Sequence, residues 1–230
     1  MSALAPPMAA TLDWLGLRTI SPRALLACLG LSLAAWSVAN SLSLPIWAGG
    51  FAALVPWSVL FAREVAWTYQ HSHWLALFYA LVVSQSVHFA EHVGQMIQIH
   101  VLGLEGDAAR GVIGALDVEW VHFLFNTWVI LAAVMLLERF RSNRWLWVAA
   151  ACAGWHEVEH AYLLAVYLAT GLQSTSGLLA AGGAVGGGLP FFRADLHFLY
   201  NLAETVPLLI AFSLQLLHGA RRRPRASDLP

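Results

Sequence analysis

Six histidines and several glutamates of this chain lie in two similar stretches, each inside a long apolar run. The first stretch has H-F-A-E-H at 88–92 and H-F-L-F-N at 122–126. The second has H-E-V-E-H at 156–160 and H-F-L-Y-N at 197–201. Ionisable side chains at membrane depth are costly and rare, and they commonly mark a functional site. The pattern therefore predicts a site built from histidine and glutamate within a membrane.

The residues that the two stretches share are the predicted metal ligands. Histidines at positions i and i+4 of a helix lie on one face and can bind the same ion. The set is His88, Glu91, His92, His122, His156, Glu159, His160 and His197. Three histidines for each ion and two carboxylates able to bridge predict a dinuclear centre. Imidazole together with carboxylate suits iron or zinc, so we expect two transition-metal ions, with iron favoured and zinc or copper as alternatives.

Three further glutamates, which the two stretches do not share, are the predicted catalytic residues. They are Glu119, Glu157 and Glu204, as candidates for proton transfer or for a third bridging ligand. Two of them form E-x-x-H, at 119–122 and 157–160. With Glu91 and Glu204, this pattern resembles the carboxylate-bridged plan of ferritin-like proteins. The resemblance covers the ligand pattern alone, and it implies a pair of iron ions.

The elements that position these residues are predicted to be membrane helices. The 230 residues are 59% hydrophobic and 11% charged, whereas a soluble domain has about 25% charged residues. A spanning helix needs about 20 mainly apolar residues. We therefore predict an all-α integral membrane protein, one transmembrane domain over 1–230, with an interfacial segment at 1–20. The six predicted helices are 22–40, 44–62, 74–100, 116–138, 145–170 and 192–218.

The spacing of the motifs predicts an internal repeat. His156 follows His88, and His160 follows His92, by the same 68 positions. Helices three and four (74–138) therefore match helices five and six (145–218) as a parallel repeat, related by an axis along the membrane normal. At about 100° per residue, the polar residues of each helix fall on one face. We expect the four helices to form a metal-binding core, with its site in the middle to outer half of the bilayer.

The arginines predict the orientation of the chain. Most of them flank the N-terminus, the second and fourth connections and the tail at 219–230. The excess of positive charge on cytoplasmic loops predicts cytoplasmic termini in a plasma or inner membrane. With a net charge of -1 and no basic stripe, the chain is not expected to bind nucleic acid.

The combined pattern predicts a metal-dependent oxidoreductase, similar to a hydroxylase or desaturase, that acts on a lipophilic substrate from the bilayer. Since no flavin or nicotinamide motif is present, it would need an external electron donor. One alternative is a zinc-dependent intramembrane hydrolase of lipid amide or ester bonds, because 156–160 also satisfies the H-E-x-x-H pattern. A second is a transporter of metal ions or protons. A third is a purely structural set of interhelical hydrogen bonds.

Overall fold

The computed structural model describes residues 20–114 and 118–221, which form six long helices. No strand occurs in these ranges, although Gly183 and Gly187 form an isolated bridge. A π-helical segment, Ile97–Val101, and a short 3-10 helix, Gly106–Ala109, follow the third long helix. The long helices are α1 (Pro22–Ser41), α2 (Ile46–His71), α3 (His73–Met96), α4 (Val118–Arg139), α5 (Arg144–Thr170) and α6 (Arg193–Arg221).

The helix bounds agree closely with the prediction, except in α2. The predicted second helix ends at residue 62, before Arg63 and Glu64, whereas α2 continues to His71. Pro56 lies inside this helix without ending it. The predicted interfacial segment at 1–20 lies outside the described residues apart from position 20, and the predicted tail at 219–230 does so from position 222 onward.

Four of the six helices are long and apolar enough to cross a membrane: α1, α2, α4 and α6. The other two, α3 and α5, carry the two H-x-x-E-H motifs, whose polar residues lower their mean hydropathy. Much of the surface of α1 and α2 is apolar and exposed, with Leu26 at 68% and Val59 at 67%. Apolar surfaces of this extent are expected where lipid is the solvent.

Helices α3 to α6 close into a ring, in which α3 contacts α4 and α6, and α5 contacts α4 and α6. α2 packs on α3, and α1 packs on α2. One half of the ring is filled by an apolar core that includes Phe78, Leu81, Leu136 and Leu146, each fully buried. Alanines of α4 and α5 within this core let the helices approach closely, as small residues do in membrane bundles.

The connections differ in length at the two ends of the bundle. α2 and α3 are separated by Ser72 alone, whose side chain accepts a hydrogen bond from the backbone N–H of Leu75. Asn143 caps α5 in the same way. The opposite end carries two longer connections, whose described residues are 102–114 and 171–192. The second of these is compact, because its backbone bonds to itself, as in Leu189 N–H to the Leu179 carbonyl at 2.7 Å.

A substitution at Ala153 tests how tightly this core is packed. It is 1% exposed and lies in the apolar core, so Ala153→Leu should overpack the ring and lower stability by about 1–3 kcal/mol. Ala151→Leu, on an exposed position of the same helix, is the control and should have little effect. Thermal unfolding in detergent measures both, and equal melting temperatures for the two variants would contradict this packing.

Candidate metal centre

The first group of potential ligands joins α3 to α4. His88 and His92 stand one turn apart on α3, with their Nε2 atoms 3.3 Å apart. The ring of His122 on α4 lies 5.3 Å from that of His88 and 5.4 Å from that of His92. One nitrogen from each histidine lies within 4.8 Å of the others. We call these three residues the first triad.

The second triad joins α5 to α6 in the same manner. His156 and His160 are one turn apart, and their Nε2 atoms approach to 3.0 Å. The ring of His197 lies 4.8 Å from that of His160 and 5.4 Å from that of His156. Again one nitrogen from each residue lies within 4.8 Å of the others. The six histidines predicted from the sequence therefore come together as two groups of three.

His197 of the second triad has the bonding pattern of a metal ligand. Its Nδ1 bonds to the carbonyl of Arg193 at 2.9 Å, and its buried Nε2 has no hydrogen-bond partner in the part of the chain that the structure describes. Ligand histidines usually bond through one ring nitrogen to a carbonyl or carboxylate and bind the ion with the other. Two nitrogens on one tetrahedral ion are about 3.3 Å apart, close to the separation of the two Nε2 atoms that stand one turn apart in each triad.

The two triads adjoin. The rings of His122 and His160, one from each triad, stack with their centroids 5.2 Å apart and an interplanar angle of 17°. Five of the six histidines are buried, and His88 is partly exposed. Two ions in this arrangement would share one site in the bundle rather than occupy separate ends of it.

Glu91 and Glu159 contact the two long loops. Oε1 of Glu91 accepts hydrogen bonds from the backbone N–H groups of Val112, Ile113 and Gly114, the last two at 2.6 and 3.1 Å. Oε1 of Glu159 accepts from the N–H of Leu178 at 2.9 Å. Neither glutamate belongs to the two ligand groups, so their role as bridging ligands stays a prediction.

A glycine with positive φ stands beside each of these carboxylates. Gly111 has φ +78° and Gly177 has φ +71°, and a Cβ at either position would collide with Glu91 or Glu159 respectively. The glutamate of each H-x-x-E-H motif therefore contacts a loop whose backbone passes very close to the carboxylate. Only glycine permits this close approach, because it has no Cβ.

Glu204 contacts a ligand histidine directly. Its Oε1 lies 2.6 Å from Nδ1 of His156, and both residues are fully buried. Gln85 of α3 donates to Oε2 of Glu204 at 3.4 Å and to Oδ1 of Asn201 at 3.1 Å. A carboxylate bonded to Nδ1 fixes the tautomer that leaves Nε2 for an ion.

The other two predicted catalytic glutamates contact other partners. Glu119 is 1% exposed and forms a bidentate ion pair with Arg193, at 2.8 and 2.9 Å. Glu157 accepts a hydrogen bond at 2.6 Å from the hydroxyl of Thr127, and its buried Oε2 has no partner among the described residues. Their catalytic roles, like that of Glu204, stay predictions.

Two cavities reach the triads from different sides. One, of about 530 Å³, lies beneath the long loops and borders His92 and His122 of the first triad and His160 and His197 of the second. The other, of about 920 Å³, lies between α2, α3 and α4 and borders His88 and His122. Its walls are mainly apolar, and several wall residues remain exposed on the outer surface, such as Phe51 at 46% and Val87 at 49%.

Sequence reasoning missed the contacts that satisfy the glutamates, and it missed Glu64. The predicted second span ends at residue 62, so Glu64 lies outside it. In the structure it is 3% exposed and borders the larger cavity.

Comparison with protein-family models, with curated proteins and with solved structures finds no match to this chain.

The ion pair between Glu119 and Arg193 can be tested by removing one partner. Arg193→Leu leaves a buried carboxylate without its cation, which should cost about 3–5 kcal/mol of stability. The double variant Glu119→Leu/Arg193→Leu leaves no uncompensated charge and should melt at a higher temperature than Arg193→Leu alone. If the loss of stability in the double variant equals the sum of the losses in Arg193→Leu and Glu119→Leu, the pair contributes little.

Proposed function

We propose that this protein is an integral membrane metalloenzyme that binds two transition-metal ions through its histidine triads and oxidises a lipophilic substrate. The observation that carries the proposal is the pairing of two adjacent triads with an apolar cavity that reaches one of them at His88. Interhelical hydrogen bonding alone does not account for a buried Nε2 without a partner, as in His197. A metal ion does account for it.

In this proposal the six histidines are the ligands, and the carboxylates act around them. Glu204 orients His156, and Asn126 and Asn201 each donate to the carbonyl of a ligand histidine one turn earlier, at 3.0 Å. Glu91 and Glu159 hold the loops that cover the centre. Such surrounding contacts orient ligands and support metal affinity.

The two cavities suit two different reactants. The larger one is apolar and opens towards the lipid-facing surface. It would therefore bind the lipophilic substrate and keep water away from that substrate. The smaller one is bordered by polar residues, including Arg110 and Glu105, so small polar molecules would enter from the loop end. A cavity of about 920 Å³ lies within the usual range for small-molecule sites.

A pair of redox-active ions would supply the activation of oxygen needed to hydroxylate or desaturate an alkyl chain. The reaction also requires electrons, and we propose that they come from an external donor. Imidazole suits iron, copper and zinc, so the metal itself must be measured. Iron is our proposal, copper would also support oxidation, and zinc would favour hydrolysis of lipid amide or ester bonds.

The membrane arrangement is part of the proposal. Four helices are apolar enough to cross a membrane, and we propose that α3 and α5 cross with them, because they close the same ring. Matching contacts at positions 68 apart, such as the Nε2 pairs of His88–His92 and His156–His160, support a parallel repeat. Cytoplasmic termini then place the centre in the middle to outer half of the bilayer.

A transporter is less well supported, because transport requires polar access from both ends of the bundle. The half of the ring opposite the loops is filled by Phe78, Leu136 and other core residues with no more than 8% exposure. Access to the centre is found at the loop end and from the side, through the two cavities.

Metal content tests the proposal directly. The purified protein should contain about two transition-metal ions per chain, one for each triad. His88→Ala and His160→Ala each remove a ligand from one triad, so each should lose at least one ion. Elemental analysis of protein purified without added metal provides the measurement.

His71→Ala is the matched control, because His71 is exposed at the end of α2 and should retain both ions. Two zinc ions in the wild type would support the hydrolase instead. Wild-type protein without metal, or equal metal content in all four proteins, would refute a metal centre at the triads.

Glu204→Gln tests whether the carboxylate supports the second triad. Loss of its charge should weaken metal binding there about 10- to 100-fold and leave the first triad largely unaffected. Dialysis against graded chelator should then remove one ion from the variant well before the other. Glu138→Gln, on an exposed position of α4, should behave like the wild type, and so would Glu204→Gln if the carboxylate had no such role.

A further inference from the structure

The larger cavity has a polar group at the end away from the triads. Glu64 of α2 borders it together with Phe61 and Tyr79. The side chain is 3% exposed, and its Oε2 has no hydrogen-bond partner within residues 20–114 and 118–221. A buried carboxyl without a partner costs several kcal/mol in an apolar medium, so a group that enters the cavity and donates a hydrogen bond would be strongly favoured there.

Three other polar groups in the wall of the cavity already have hydrogen-bond partners. The hydroxyl of Ser58 donates to the Val55 carbonyl at 2.7 Å, and that of Ser84 donates to the Leu81 carbonyl at 3.0 Å. Glu91 is bonded to the loop backbone. Glu64 differs from these in having an acceptor atom that is buried and unused.

The two ends of the cavity are far enough apart for an extended alkyl chain. Tyr79, near Glu64, and His88, at the first triad, both lie on α3 and both border the cavity. They lie nine positions apart in the sequence, or roughly 13 Å at 1.5 Å per residue. Between them the wall is largely apolar, with Leu54, Val83 and Val87 among its residues.

We propose that this cavity binds a long-chain amphiphile whose polar end donates a hydrogen bond to Glu64 and whose alkyl chain extends to His88. The ligand class is an alkyl alcohol or amine, since a carboxyl or carboxylate oxygen accepts hydrogen bonds from either. This inference rests on the proposed function, and it specifies the substrate: the chain would be oxidised at carbons remote from the head group.

Photolabelling of the metal-containing protein in lipid nanodiscs tests this orientation. The probe is a long-chain primary alcohol with a diazirine at the far end of its chain, and crosslinked peptides are mapped by mass spectrometry. Crosslinks are expected in the part of α3 around Val87 and the part of α4 around Phe125. The methyl ether of the same probe cannot donate a hydrogen bond and should label these sites at least tenfold less.

Glu64→Leu should reduce labelling by the alcohol to the level of the ether, whereas Glu64→Gln, which keeps an acceptor oxygen, should retain most of it. Glu138→Leu, at an exposed position of α4, is the control and should label as the wild type does. The leucine variant should fold, because replacing an unsatisfied buried polar group with an apolar one is neutral or stabilising. An amine probe of equal length tests the second head group.

Equal labelling by alcohol and ether in the wild type would overturn the proposal, and this comparison needs no variant. Equal labelling by the alcohol in wild type and Glu64→Leu, or crosslinks from the chain end near Phe61, would also overturn it. Metal content is measured on the same samples. Oriented labelling without metal would refute the proposed enzyme but not the binding site, whereas metal without oriented labelling would refute this inference alone.

Discussion

Polar side chains buried away from water must find their hydrogen-bond partners within the protein, because apolar neighbours offer none. This constraint accounts for most of the site. Glu119 is paired with Arg193, Glu204 with His156, and Glu91 with the backbone of a loop. These contacts join α6 to α4 and α5, and α3 to the loop at 112–114. Among the described residues, Nε2 of His197 in the second triad remains buried without a partner.

The fold and the histidine groups could be largely predicted from the sequence, because both depend on periodicity. Apolar runs of sufficient length predict helices, and the i, i+4 spacing of His156 and His160 places both on one face. The predicted repeat pairs His88 with His156, and in the structure each belongs to a group of three histidines. The local spacing of the histidines is therefore sufficient to identify them as candidates for the site.

The partners of the glutamates could not be predicted, because they depend on loop backbone and on contacts far apart in sequence. The N–H groups that bind Glu91 belong to 112–114, in a loop without regular periodicity. The ion pair of Glu119 joins residues 74 positions apart. The predicted second span ends before Arg63 and Glu64, although the helix continues beyond both. Charge at a helix end and charge inside a helix cannot be distinguished from composition alone.

The loop contacts of Glu91 have a consequence for the energetics of the whole centre. Glu91 stands on the same helical turn as His88 and His92, so any displacement of the loop at 112–114 acts on the segment that carries two ligands. Glu159 stands in the same relation to His156, His160 and the loop at 177–178. In the metal centre that we propose, ion binding and loop order would therefore be linked equilibria, and each would stabilise the other by the same free energy. The enclosure of the proposed centre and its affinity for ions would then change together.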